Sequence, residues 1–184
     1  MRKCPKAFDL VTLMIAISGA TPTLAAATTS ETIPEYMDDR SSPETLIKSL
    51  YNAIDRQEYL RAWSYFTGQS GRADFETFAS GCETTKSVRV KLGDVVSEGA
   101  AGTVYSSVPT VIESLSTNGD RKIFAGCYQT RLVQPSVQAE PPFRPLQIEA
   151  AHLQSTELSF DKARGNCPDG ACNELRVSIV GLGS

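Results

Sequence analysis

The sequence predicts an α+β fold, with three N-terminal helices packed on a curved, mainly antiparallel sheet. Three observations carry this. Between Leu46 and Cys82 apolar residues recur at three- and four-residue spacing, the period of an amphipathic helix. From Lys86 onward the period changes to two, in a stretch rich in Val, Thr and Tyr. Turn chemistry, above all Asn118-Gly119, then cuts the remaining chain into strand-length pieces.

The first residues are not part of that fold. Arg2, Lys3 and Lys6 form a basic start, Leu10 to Ala20 is an apolar run, and Ala25-Ala26-Ala27 fits a small-residue cleavage site. Residues 1–27 therefore read as a secretory signal peptide, too short in its apolar part for a spanning helix of about 20 residues. Cys4 leaves with it. Residues 28–41 are polar and contain Pro34, and read as a disordered leader. Residues 42–184 then form a single domain, with residues 158–184 as a C-terminal extension. No second long apolar run follows, so no stable membrane insertion is expected after processing.

Pro43 suits a first helical position and Ser41 or Ser42 can cap it, so a helix is expected over 43–55 with Leu46, Ile47, Leu50, Tyr51 and Ile54 inward. After Arg56-Gln57, residues Tyr59, Ala62, Trp63 and Phe66 repeat the spacing. This aromatic stripe reads as core. A third helix is expected over about 72–81. Val88, Val90 and Leu92 alternate with Arg89 and Lys91 as a half-buried strand. Long strands follow over 103–115 and 121–134, joined by the turn 116–120. Pro109 implies an edge or a bulge in the first of them. A proline-rich connection spans 135–145, a further strand 146–157, and a last apolar strand 175–180.

Five cysteines are present, and Cys82, Cys127, Cys167 and Cys172 remain after processing. Even parity in an exported chain suggests disulfides. The expected pairs are Cys82–Cys127, tying a helix to the sheet, and Cys167–Cys172, clamping a C-terminal hairpin at Pro168-Asp169-Gly170. By chain entropy they contribute up to ~4 and ~2 kcal/mol. For the second motif a redox pair and a metal clamp are the alternatives, but its C-x-x-x-x-C spacing is not that of a thioredoxin-type site, and zinc needs further ligands.

The whole chain carries a net charge of −3, and loss of the basic signal peptide makes it more acidic. With no basic run, nucleic acid is not an expected partner. No Gly-rich phosphate loop, G-x-S-x-G, H-E-x-x-H or carboxylate cluster occurs, so no cofactor and no metal are implied. His152 is the one histidine, and strand spacing puts it on the face of Leu146, Ile148 and Ala150, opposite Glu149. There it could serve as acid or base. Tyr128 shares a face with Phe124, Thr130 and Leu132, away from Arg131. Tyr105 shares one with Glu113 if no bulge intervenes. Tyr105, Tyr128 and His152 are the candidate ligand-binding residues.

The stretches "SPETLIKSLYNAIDRQEYLRAWSYF", "ADFETFASGC", "RKIFAGCYQTRLVQ" and "LQIEAAHLQ" resemble, in pattern and order, the NTF2-like (SnoaL-like) superfamily over about residues 42–157. The resemblance implies a cone, a curved sheet wrapped around helices with a pocket at its open end, and allows a homodimer. The family spans isomerases, dehydratases, hydrolases, transport adaptors and non-catalytic domains, so the fold does not choose among them. The chain departs from the family's enzymes in lacking a clear Asp–His or Tyr–Asp constellation, and it adds the cysteines and the C-terminal extension. Two functions are therefore expected. The first is an exported, periplasmic or extracellular, non-catalytic domain that binds a small apolar ligand or a cell-envelope protein. The alternative is a small-pocket enzyme of isomerase, dehydratase or hydrolase type using His152.

Overall fold

The computed structural model describes residues 33–68, 70, 73–168 and 178–179. The expected signal peptide, the first residues of the leader and Cys172 lie outside the described residues. Helix α1 (Pro43–Asp55) starts at a capping box: the Thr45 N–H donates to Ser42 Oγ at 3.2 Å, and the Ser42 N–H to Thr45 Oγ1 at 3.1 Å. Its inward face buries Leu46, Ile47, Leu50, Tyr51, Ala53 and Ile54. The leader next to it is not disordered over residues 33–41. The Met37 N–H donates to Asn52 Oδ1 at 3.0 Å and the Asp39 N–H to Ser49 Oγ at 2.8 Å. Arg61 stacks on Tyr36 and Arg40 on Tyr65, so the short polar stretch gains partners that its composition does not reveal.

Helix α2 (Tyr59–Ser64) stops before Phe66. The reason is a competing strand-like contact: the Thr67 N–H donates to the Ile148 carbonyl and the Ile148 N–H to the Tyr65 carbonyl, both at 2.8 Å. Helix α3 (Phe75–Cys82) begins where Asp74 caps the Thr77 N–H at 2.9 Å, three residues beyond the expected start.

The sheet contains β1 (Thr85–Leu92), β2 (Val96–Ala100), β3 (Thr103–Ser116), β4 (Arg121–Val133), β5 (Gln147–Ser155) and β6 (Ser178–Ile179). Strand order is β1-β3-β4-β5-β6, with β2 also paired to β3. All pairs are antiparallel except β5 with β6. Strand β2, Val-Ser-Glu-Gly-Ala, has no alternation to announce it. It forms because Ala101 and Gly102, both at positive φ, turn the chain straight back.

Pro109 neither bulges nor interrupts β3: the β3–β4 register runs unbroken from Thr103↔Val133 to Leu115↔Arg121. On its other side β1 pairs from Thr110 onward and β2 up to Ser107, so Pro109 falls in the gap between them. Its carbonyl accepts from the Gly93 N–H at 2.7 Å, and its missing N–H costs no ladder bond. Register shifts lie elsewhere, in β1 between Thr85 and Ser87 and in β5. Gln129 opposes Ala150 while Thr130 opposes Ile148, leaving Glu149 as the extra residue.

Residues paired across the ladder share a face. Val88, Val108, Ile112, Phe124, Tyr128, Ile148, Ala151 and Leu153 face the helices and form one core with Leu46, Ile47, Leu50, Tyr51 and Phe66. Arg89, Tyr105, Glu113, Cys127 and Ala150 face the opposite, outer side.

That division overturns the expected disulfides. Cys127 bonds Cys167, not Cys82. Cys82 is a free thiol buried with the helices, separated from Cys127 by the sheet itself. Burial pushes its pKa up to about 11. With Cys167 engaged, the expected Cys167–Cys172 clamp does not form. Cys167 instead ties the extension to the sheet.

Candidate functional site

Beyond β5 the chain crosses the outer face as a strap. The Thr156 N–H still donates to the Ile123 carbonyl at 2.9 Å, and a turn then forms with the Lys162 and Ala163 N–H groups on the Ser159 carbonyl. Lys91 Nζ donates to the Phe160 and Ala163 carbonyls at 2.5 and 2.8 Å, so one ammonium holds successive strap residues. Arg89 lies over the Phe160 ring at 4.4 Å. Gly165 rests directly on the β3–β4 ladder: a Cβ there would stand 2.1 Å from the Thr110 nitrogen, so no other residue allows this approach. Two residues further on, the Cys127–Cys167 bridge ends the strap.

The structure does not bring the three candidate ligand residues together. Tyr128 is on the helix side, buried, with its hydroxyl 2.6 Å from that of Tyr51. Burial holds both phenols well above the usual tyrosine range, so both are neutral. Tyr105 is half-buried on the outer face, opposite Glu98 and Arg131. It does share that face with Glu113. His152 is half-buried and sits opposite Cys127, on the outer face, not with Ile148. The bulge at Glu149 shifts the alternation by one, and a one-residue shift turns every following side chain over. Among the described residues no three His, Cys, Asp or Glu side chains are placed to hold a metal ion.

What the fold does assemble is a cleft of about 590 Å³ at the end of the sheet, between the β3–β4 end and the turn that begins the strap. Its walls include Glu113, Arg121 and Lys122 from the sheet, and Ser155, Thr156 and Leu158 from the turn. Glu113 organises its charge. A single oxygen, Oε1, accepts from Arg89 Nη1 at 2.9 Å and from Arg121 Nη1 at 3.1 Å. The Glu113 side chain is 11% exposed, whereas Arg89 and Arg121 are 61% and 60% exposed, so the carboxylate is spent beneath two outward guanidiniums. Sequence reasoning placed Arg89 and Glu113 on strands but could not see this grouping. It needs the β1–β3 register, which opposes Arg89 to Glu113, and the short turn that returns Arg121 beside them.

No family model matches the sequence, and no curated protein matches it. Solved structures similar to this chain include members of the NTF2-like family. A candidate scytalone dehydratase from Novosphingobium aromaticivorans is 11% identical, with a TM-score of 0.47, over 69% of this chain and 90% of its own. A candidate aromatic ring hydroxylase from the same organism is 14% identical, with a TM-score of 0.46, over 64% and 93%. A candidate NTF2-like dehydratase from Streptomyces avermitilis is 12% identical, with a TM-score of 0.39, over 64% and 100%. No helix among the described residues is long and apolar enough to cross a membrane.

Proposed function

We propose that this protein is an exported, non-catalytic binding domain, in which an NTF2-like cone of sheet around helices is the scaffold and the cleft at the end of the sheet is the ligand site. The cleft carries this reading: a concavity of about 590 Å³, within the range of small-molecule sites, with polar groups held in place at one wall. The Cys127–Cys167 bridge and the signal-peptide pattern of residues 1–27 support an oxidising destination. The helix-side layer is a poorer candidate, because the Tyr51 and Tyr128 hydroxyls satisfy each other there. The enzyme built on His152 is not proposed, because it requires that residue inside a helix-side pocket and the bulge carries it to the other face.

The test is amide chemical-shift mapping of the purified protein against a mixed set of small organic compounds, with fractionation of cells to follow export. Binders are expected to shift residues 113, 121–124 and 155–159. His152→Ala is expected to leave binding intact. Shifts centred on Tyr51 and Tyr128, or loss of binding in folded His152→Ala, would refute the site.

A further inference from the structure

We propose that the Cys127–Cys167 bridge is a fastening that a dithiol opens, and that its opening lifts the strap together with the cleft wall at the strap's root; the consequence for ligand binding rests on the cleft being a binding site. The strap has little else to hold it. Among residues 156–167 only Ala163 is buried; Thr156, Phe160, Gly165 and Cys167 are half-buried and the rest are exposed. Covering one methyl group stabilises little. The other ties are the Lys91 ammonium on the Phe160, Asp161 and Ala163 carbonyls and the stacking of Arg89 on Phe160. These are polar contacts at the solvent boundary, which open readily when nothing else restrains the chain.

The strap covers Val111, which is 2% exposed although it lies on the outer face and outside the helix-side core. Lys91, its partner in β1, holds the Ala163 carbonyl, and Thr110, the residue before it, meets Gly165. The two sulfurs of the bridge differ in access. Cys127 is buried beneath the strap, whereas Cys167 is half-buried between exposed Asn166 and Pro168. A thiolate of the dithiol therefore attacks Cys167 Sγ, forming a mixed disulfide and expelling Cys127 as a thiolate that takes a proton from solvent. The second thiol of the dithiol then attacks the mixed disulfide and releases Cys167. One S–S bond is lost from the protein, one forms in the dithiol, and two electrons pass from dithiol to bridge. Residues 155–159 of the cleft wall lead directly into the freed segment. Beyond the bridge the chain meets the sheet again at β6, against His152 and Leu153, so the opened segment stays anchored at both ends and the change is confined to it.

The experiment treats the purified protein with dithiothreitol and no denaturant, alkylates it with iodoacetamide for peptide mapping, and follows amide hydrogen exchange and the Val111 methyl signals by NMR. Cys127→Ser/Cys167→Ser without reductant is the second arm. Cys127 and Cys167 are expected to be alkylated while Cys82 is not. Amides of residues 160–167 are expected to exchange about tenfold faster, the Val111 methyls and the amides of residues 155–159 to shift, and the Val88 N–H on Asp55 to stay protected. A bridge that resists dithiothreitol, strap amides unchanged in the reduced chain or in the folded double variant, or loss of protection throughout the reduced native chain overturns the proposal. Strap amides that speed up while residues 155–159 do not shift overturn its link to the cleft. No readout uses a ligand, so compound mapping of the oxidised protein decides the binding reading separately.

Discussion

Asp55, the last residue of α1, provides a quantitative test of how the helix layer meets the sheet. Its Oδ1 accepts from the Val88 N–H at 2.7 Å, which ties α1 to β1. Desolvation pushes its pKa from the ordinary 3.8 to about 6, against the opposing pull of that hydrogen bond. The folded state therefore holds the proton more tightly than the unfolded state. The stability this contributes is fully present below about pH 4 and is lost as pH rises through 6. A shift of this size corresponds to at most about 3 kcal/mol at 1.36 kcal/mol per pH unit. Solvent reaches part of the side chain, and screening reduces the figure to about 1–2 kcal/mol. Asp55→Asn keeps an oxygen for the Val88 N–H but cannot ionise. In urea unfolding with the disulfide intact, the variant is expected to match the native protein at pH 3.5 and to exceed it by about 1–2 kcal/mol at pH 7.5. A gap independent of pH, or a variant less stable at pH 7.5, would refute the reasoning.

Peptide mapping of the oxidised protein should find Cys127 joined to Cys167, with Cys82 alkylated only after denaturation; a Cys167–Cys172 peptide would overturn the strap. Removing that bridge as Cys127→Ala/Cys167→Ala should lower stability in urea by up to about 4 kcal/mol, the chain-entropy value for a separation of 40 residues. Gly165→Ala should lower the urea midpoint by an amount equivalent to about 1–3 kcal/mol, because its methyl must displace backbone at Thr110. An unchanged midpoint would mean that the strap does not lie on the ladder. Tyr128→Phe should cost about 1–3 kcal/mol by leaving the Tyr51 hydroxyl buried without its partner, while Tyr51→Phe/Tyr128→Phe should cost less than the single changes combined, measured as a double-mutant cycle.

Sequence alone determined the features that depend on near neighbours in the chain. Ser42, Pro43 and Thr45 set the start of α1 because a capping box closes within four residues. Asn118-Gly119 set the β3–β4 turn, and alternation assigned Val88, Val90 and Leu92 to the helix side of β1. Tyr128 and Arg131 were correctly placed on opposite faces for the same reason. Tertiary structure decided everything that needed a partner from elsewhere. The bulge at Glu149 arises from how β5 pairs with β4, and it moved His152 across the sheet because side chains alternate with a period of two. The cysteine pairing depended on which layer each thiol faces, and parity in the sequence cannot express a sheet lying between Cys82 and Cys127. The cleft combines residues of β3 and β4, the end of β5 and a turn of the extension, so it exists only once register and strap are in place.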